Sequence, residues 1–370
     1  MQHSDLDSKR IAVLLSGGVD SSVVVYEFAK LGLHPDCFYI KIGPVEEEER
    51  LRVGEQSSGM WDCSSEEDME MATAVAHKYG CNLEVIDCHH EYWDQVTRYT
   101  MDKVRAGFTP NPDVMCNRLI KFGAFDEKRG HDYDLIATGH YAQTEVDEVG
   151  RKWLVTSPDP VKDQTDFLAQ IYDWQLRKAI FPIGHYVKDE VRQIAEREHL
   201  VNAKRKDSQG ICFLGKINYN DYIRRYLGEN PGDVIELETG RRIGEHRGLW
   251  FHTIGQRKGM GFSGGPWFVV KKDVPNNILY VSHGYNPVTA YKRDFPVHGL
   301  HWLTIPVQTT DITFKIRHTP EYLPGKLEQT SDDSFIIHAL DPIHGVAPGQ
   351  FCVIYDQNHH RCFGSAEITI

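Results

Sequence analysis

No run in this 370-residue chain approaches the roughly 20 apolar residues that span a bilayer, which argues against a helical membrane protein. The opening residues Met1-Gln2-His3-Ser4-Asp5 are polar and carry acid, so no secretory leader is expected. The eight cysteines (Cys37, Cys63, Cys81, Cys88, Cys116, Cys212, Cys352 and Cys362) follow no regular framework. In a chain this long that fits a reducing compartment, the cytoplasm, with thiols that are buried or chemical. Paired ligand spacing is missing as well, so no metal site of zinc or iron–sulfur type is expected. There is no internal repeat and no low-complexity tract. The Gly-Lys-Ser/Thr ending of the mononucleotide P-loop does not occur after the first glycine pair.

What is present is ordinary globular composition, 41% hydrophobic and 25% charged, over a length that implies two or three domains. The first two hundred residues alternate short apolar runs with helical patterns. The runs are Ile11–Leu15, Cys37–Ile40, Leu83–Ile86 and Leu135–Thr138. Helices are expected near Glu66–Tyr79, from Tyr92 to about Val104, and over Lys188–Leu200. Such alternation predicts an α/β fold with a parallel sheet, whose ligands sit beyond the carboxyl ends of the strands. Gly43–Gly59, with Glu46–Glu49, reads as an exposed acidic insertion. A helix over Tyr219–Leu227 then gives way to strand-and-turn texture: Asp233–Leu237, Trp267–Lys271, Ile278–Val281, Thr313–Ile316, Phe335–Ala339 and Phe351–Tyr355. The tail suits a small barrel or sandwich.

The net charge of −12 argues against casual nucleic-acid binding, but its distribution is uneven. Residues 1–199 hold 22 Lys and Arg against 36 Asp and Glu, whereas residues 200–275 hold 13 against 8. A local basic surface can still meet a polyanion, because salt screens distant charge beyond about 8 Å. On charge alone, a set of solvated turn and helix faces explains the excess equally well.

Three stretches carry chemistry. Ser16-Gly17-Gly18-Val19-Asp20-Ser21-Ser22 links the first apolar run to a helix. Main-chain N–H groups there, backed by the helix dipole, make an anion site, and the three serine hydroxyls add donors. The loop resembles the pyrophosphate loop of enzymes that split ATP into AMP and pyrophosphate. Asn111-Pro112-Asp113-Val114-Met115-Cys116-Asn117 is the second. Asn117 or a neighbour can start a helix, placing Cys116 near an N-terminus that favours thiolate, with Asp113 as a proton exchanger. Burial as a small hydrophobe is the equal alternative for Cys116. The third runs from Lys204-Arg205-Lys206 through Asp207 to the Gly-flanked Cys212. Nearby cations would stabilise a Cys212 thiolate that another protein could reach, while core packing remains the other reading.

The order of these stretches, with Thr138-Gly139-His140-Tyr141, Lys162-Asp163-Gln164 and Gly255-Gln256-Arg257-Lys258-Gly259, resembles that of tRNA-specific 2-thiouridylases over roughly residues 10–365. The resemblance implies a parallel-sheet, adenine-nucleotide α-hydrolase-like ATP-pyrophosphatase domain (1–216), a small central tRNA-binding domain (217–285) and a C-terminal β-barrel (286–370). It implies an ATP-using sulfurtransferase that replaces the C2 oxygen of the wobble uridine by sulfur. Cys212 would carry the persulfide, Cys116 would be the partner nucleophile ending in a disulfide with it, and Asp113 the acid/base. ATP would be bound by Leu14, Leu15, Ser16, Gly17, Gly18, Val19, Asp20, Ser21, Ile40 and Gly139, with Mg2+ on its phosphates. tRNA would meet Asn111, Pro112, Asp113, His140, Lys162, Asp163, Gln164, Arg317, His318 and Gln350. A persulfide sulfur-carrier protein is the implied partner of a monomeric enzyme, and no membrane is involved. Three features depart from the pattern: His318 in place of a tyrosine, Thr165-Asp166 in place of Ser-Tyr, and the long acidic insertion. The rivals are an ATP-dependent ligase or amidotransferase, which needs no particular cysteines, and a tRNA- or nucleotide-binding protein without catalysis.

Overall fold

The computed structural model describes residues 6–42, 62–206, 219–284, 287–307 and 310–369. The insertion at 43–59 and the stretch 207–218, with Cys212, lie outside the described residues. Among the described residues no helix is long and apolar enough to cross a membrane.

Alternation of strand and helix does give a parallel sheet. Strands β1 (Ile11–Leu14), β2 (Asp36–Lys41), β3 (Leu83–Asp87) and β4 (Leu135–Ala137) belong to it. The hairpin β5 (Gln143–Val146) and β6 (Lys152–Val155) does not, and β7 (Ala179–Ile180) completes the order β3-β2-β1-β4-β7. All four residues of β1 are buried, as befits a central strand covered on both faces. The chain leaves β1 for β2 on one side and later lays β4 on the other. Strand order therefore reverses between β1 and β4, the position where such sheets open a ligand crevice.

Helix α1 (Val19–Lys30) follows β1 directly. Its Val23-Val24-Val25 run has poor helix propensity, but all three side chains are fully buried, and packing outweighs a few tenths of a kcal/mol per residue. Helix α2 (Asp62–Lys78) leads into β3. The helix expected from Tyr92 to Val104 is three linked pieces: His89–Tyr92, a wide π-type turn over Trp93–Thr97, and Arg98–Arg105. Further on come α3 (Pro112–Cys116), α4 (Lys188–Arg197) and α5 (Tyr219–Leu227).

The central sheet has β8 (Gly232–Glu236), β9 (Arg242–His246), β10 (Trp267–Asp273) and β11 (Ile278–His283) in the order β10-β11-β8-β9. It closes over Val234, Val269, Leu279 and Val281. Helix α5 packs instead on the first unit, where Tyr222 OH donates to Thr97 Oγ1 at 2.9 Å.

The tail forms β12 (Tyr291–Trp302), β13 (Asp311–Lys315), β14 (Leu323–Ser331), β15 (Ser334–His344), β16 (Phe351–Tyr355) and β17 (Arg361–Ile368). These pair antiparallel, and the β12–β17 pairing closes them into a barrel. The first residues of β17 pair with β6 instead: Arg361 opposite Val155 and Cys362 opposite Leu154. A hairpin from the first half of the chain is thus stitched onto the tail barrel.

Candidate active site

Leu15 N donates to Phe38 O at 2.9 Å, and the chain then turns at Gly17 with φ +76°. A Cβ on Gly17 would stand 2.1 Å from the Asp68 carbonyl oxygen of α2, so only glycine meets both the turn and the close approach. Gly18, in extended conformation, caps α1. The first N–H groups of α1 have no partner within the helix and, with the dipole, present positive potential to the β1/β4 crevice. Across the crevice, a Cβ on Gly139 would lie 2.9 Å from Ser21 N, so the turn after β4 presses against the loop. Leu14, Leu15 and Val19 are buried, leaving mainly main chain to offer a ligand, and Ile40 is half-buried near the end of β2.

The serines divide their work differently from the sequence expectation. Ser21 and Ser22 hydroxyls donate to Gly18 O at 3.0 and 2.9 Å, and Ser21 Oγ accepts from Ser16 N at 3.2 Å. They hold the loop's shape. Ser16 is the exposed hydroxyl, 3.2 Å from Ser21 Oγ.

Four residues support the loop in ways not read from sequence. Lys188, at the start of α4, reaches both carboxylate oxygens of Asp20 at 2.7 and 2.9 Å, and Tyr141 OH donates to Asp20 Oδ1 at 2.8 Å. Asn202 Nδ2 donates to Gly17 O at 2.7 Å and Ser22 Oγ at 2.8 Å, while its buried Oδ1 has no hydrogen-bond partner among the described residues. Arg205 pairs with Asp68, the residue whose carbonyl backs Gly17. Lys188 could have been noted as a cation opening an amphipathic helix. Asn202 gives no local signal, since it acts on a loop 185 positions away.

The cysteine loop needs a correction. The helix starts at Pro112, not near Asn117: Asn111 Oδ1 accepts from Val114 N at 3.3 Å, and Pro112 occupies the first turn. Cys116 is therefore the fifth residue of α3, beyond the first turn where the dipole acts, and the chain continues into a π-type helix over Asn117–Ala124. Its side chain is 1% exposed. Asp113, rather than Cys116, occupies the first turn. Tyr92 is fully buried, which pushes its phenol well above the ordinary value, with Tyr222, Cys116 and Asp113 adding to the shift. Tyr92 thus stands between α5 and the cysteine helix.

The residues expected to touch tRNA fall into two groups. In the first, Tyr141 and Gln164 exchange hydrogen bonds, Tyr141 N to Gln164 Oε1 at 3.0 Å and Gln164 N to Tyr141 O at 2.8 Å. Lys162 N donates to Asp159 Oδ1 at 3.1 Å. His140 is 8% exposed, bonded through Nδ1 to Thr138 Oγ1 at 2.8 Å, and held neutral by burial and by the Lys121 charge. Asp163 is 1% exposed; its carboxylate accepts from Thr165 Oγ1 at 2.9 Å and Tyr322 OH at 2.8 Å, with the buried Lys315 amine 3.7 Å away. The side chains of His140 and Asp163 are therefore turned inward, so they present mainly backbone at this surface. Asp163 instead ties the first unit to the barrel, burial holding its pKa above the usual range.

The second group is on the barrel. Arg317 is exposed, with Nη2 donating to His344 O at 2.6 Å. Gln350 Nε2 donates to Thr109 O at 2.7 Å and Pro110 O at 3.3 Å, and Thr109 N donates to Pro348 O at 2.7 Å. The barrel thereby clamps the backbone just before Asn111-Pro112-Asp113. Gln350→Ala should loosen that clamp at a cost of about 1–2 kcal/mol. Hydrogen exchange at Thr109–Asn111 should speed up about tenfold, and an unchanged rate would show the clamp to be idle.

His318 pairs with Asp166 at 3.0 Å. The hydrogen bond to Asp166 raises the His318 pKa, against burial. A raised folded-state value means that the pair stabilises fully below about pH 6.5 and loses its contribution as pH rises through the folded value. The effect is small because His318 is half-exposed and screened. Thermal midpoints of wild type and His318→Gln should converge as pH rises from about 6 to 8; parallel curves would rule the pair out.

With this geometry in place, comparison with known proteins is informative. Residues 9–216 match a family model described as the tRNA methyl transferase HUP domain. Residues 220–283 match its PRC-barrel domain, and residues 292–368 an aminomethyltransferase beta-barrel domain. A tRNA-specific 2-thiouridylase of Bacteroides thetaiotaomicron is 57% identical over 97% of this chain and 99% of its own. Those of Parabacteroides distasonis and Porphyromonas gingivalis are 54% and 53% identical, over 97% of this chain and 98% and 99% of theirs. The parallel-sheet unit, the small central sheet and the closed barrel run in the same order as the matched domains, and the chain belongs to the tRNA-specific 2-thiouridylase family.

Proposed function

We propose that the chain thiolates the wobble uridine of tRNA at C2, consuming ATP and releasing AMP and pyrophosphate. The observation that carries this reading is the Ser16–Ser22 loop, turned at Gly17 and seated between α2 and the β4 turn at the mouth of the β1/β4 crevice, in a chain whose relatives are tRNA-specific 2-thiouridylases.

In this reading the main-chain N–H groups of Gly17, Gly18 and the first turn of α1 hold the pyrophosphate, and Gly139 shapes the crevice around the nucleotide. Mg2+ on ATP phosphates needs only one or two carboxylates, and Asp20 is the carboxylate in the loop. It would neutralise phosphate charge. The uridine C2 oxygen attacks the α-phosphorus and pyrophosphate leaves. Asp113 exchanges the proton of the base. The terminal sulfur of a Cys212 persulfide bonds to C2 as AMP departs, and the Cys116 thiolate breaks the S–S bond, forming a disulfide with Cys212. The sulfane sulfur gains the two electrons that the cysteines lose, and a thiol reductant restores both. Cys116 is 1% exposed on α3, so its role in this scheme requires that bound tRNA open a way to its sulfur. Exposed Arg317, half-buried Lys162 and Gln164, and the basic central unit suit the tRNA backbone, with Asn111 and Pro112 at the target base. The enzyme is read as a cytoplasmic monomer of three domains (1–216, 217–285, 286–370) supplied by a persulfide sulfur-carrier protein.

The test is reconstitution from purified protein, unmodified tRNA, ATP-Mg2+ and a persulfide donor. Mass analysis should find 2-thiouridine, AMP and pyrophosphate in equal amounts. Methylated tRNA formed with S-adenosylmethionine, or AMP formation indifferent to tRNA, would overturn the reading.

A further inference from the structure

The stretch Asp159–Gln164 and the Ser16–Ser22 loop are joined by two hydrogen-bonded arms, and the arms close into a ring on one carboxylate. In the first arm, Asp159 divides its two oxygens between two backbones. Its Oδ1 accepts from Val161 N and Lys162 N, each at 3.1 Å, and its Oδ2 accepts from Lys188 N, the first residue of α4, at 2.9 Å. Asp159 O also accepts from Asp163 N at 2.8 Å. Lys188 carries the arm onward, because its Nζ grips both oxygens of Asp20. In the second arm, Gln164 and Tyr141 exchange hydrogen bonds, and Tyr141 OH reaches the same Asp20 carboxylate. The arms touch where they converge, the Lys188 amine standing 5.6 Å from the centroid of the Tyr141 ring. Tyr141 is buried and Lys188 nearly so, and the bonds they make to Asp20 involve a charged group, which makes them stronger than neutral ones. Each arm has its own chemical requirement. Asp159 needs two acceptor oxygens, where an asparagine of the same size has one; Tyr141 needs its hydroxyl.

We propose that Asp159, Tyr141 and Lys188 are positioning residues that couple RNA docking at Lys162 and Gln164 to the orientation of Asp20, so that tRNA and ATP strengthen each other's binding. The inference rests on the reading that Lys162 and Gln164 meet tRNA. None of the three is a catalytic residue, since each acts through Asp20. RNA held at Lys162 and Gln164 fixes the Asp159–Gln164 stretch. That stretch fixes the start of α4 through Asp159, and Tyr141 through Gln164. With both of its donors held, the Asp20 carboxylate keeps one orientation at the start of α1, and a nucleotide meets a loop that is already ordered. The ordering cost borne by the first ligand is not borne again by the second. Linkage requires the gain to be equal in both directions. The ring thereby limits ATP cleavage in the absence of the RNA that is to be activated.

The test reads binding rather than turnover. The full chain is titrated by calorimetry with α,β-methylene-ATP and Mg2+, with and without saturating unmodified tRNA. In wild type, tRNA should tighten the analogue about tenfold, and the analogue should tighten tRNA by the same factor. Asp159→Asn and Tyr141→Phe each cut one arm and should each reduce the gain to about threefold, and the double variant should abolish it. Tyr141→Phe keeps the buried ring and removes only the hydroxyl, and thermal unfolding confirms that each variant is folded. Substitutions that weaken the analogue equally with and without tRNA would assign the ring a structural role only and overturn the proposal. So would a wild-type analogue affinity that ignores tRNA. Formation of 2-thiouridine without mutual tightening removes the coupling alone, whereas mutual tightening without 2-thiouridine upholds the coupling and removes the thiolation reading.

Discussion

Replacing Cys116 by serine is expected to reduce 2-thiouridine formation by about 1,000-fold or more, while tRNA-dependent pyrophosphate release survives in the first turnover. The two readouts separate because Cys116 enters only after the uridine is activated. Serine is close in size, so the 1%-exposed site on α3 should tolerate it with little loss of stability. Its hydroxyl, however, is a poor nucleophile towards a persulfide. Thiolation would be followed by mass analysis of nucleosides, adenylation by pyrophosphate release, and folding by thermal unfolding. Thiolation within tenfold of wild type would remove Cys116 from the mechanism and revive the ligase-like rival. Loss of both activities in a folded protein would place Cys116 earlier, at tRNA binding.

Gly17→Ala should show the opposite separation, losing activation first. The residue sits at φ +76°, where an L side chain costs about 1–2 kcal/mol. The added methyl would also overlap the Asp68 carbonyl oxygen at 2.1 Å. That oxygen belongs to the backbone of α2, so no side-chain rotation relieves the clash. Either α2 moves from the loop, stretching the Arg205–Asp68 pair, or the loop shifts and releases the Asn202 hydrogen bond to Gly17 O. The combined destabilisation should be roughly 2–4 kcal/mol, with tRNA-dependent pyrophosphate release reduced at least tenfold. Gly32→Ala is the control: its φ is +75° but nothing lies within 4 Å of the new methyl. Equal effects of the two substitutions would mean that strain alone, and not the contact with α2, shapes the loop.

Local chemistry made part of this legible. The Ser16–Ser22 loop could be read because turn, helix start and anion site are all encoded within seven residues. The parallel sheet followed from alternation, and Tyr219–Leu227 from its periodicity. The barrel strands were harder. In β12 only Phe295 and Val297 are buried in alternation, and the first four residues face largely outward, so the period of two is faint. β14 begins Leu323-Pro324-Gly325, which reads as a turn. The start of α3 is misplaced from sequence because Asn117 is as plausible a helix start as Asn111, and a proline such as Pro112 suits a loop as well as a first helical turn. Asn202, and the inward-facing Asp163 with its partners Lys315 and Tyr322, depend on contacts between segments far apart in sequence. No window along the chain contains them.

The stitching of β6 to β17 bears on how the protein is made. Leu154 and Val155 are synthesised early, but their partners Cys362 and Arg361 come last, roughly 200 residues later. At ribosomal rates of about 5–20 residues per second, β6 waits some 10–40 s with that edge unpaired. A nascent chain halted before residue 361 would leave the Trp153–Val155 edge open to other strands. Completion of the last strand therefore acts as a checkpoint on the soundness of the whole polypeptide, since a shortened product lacks the segment that covers its own first half.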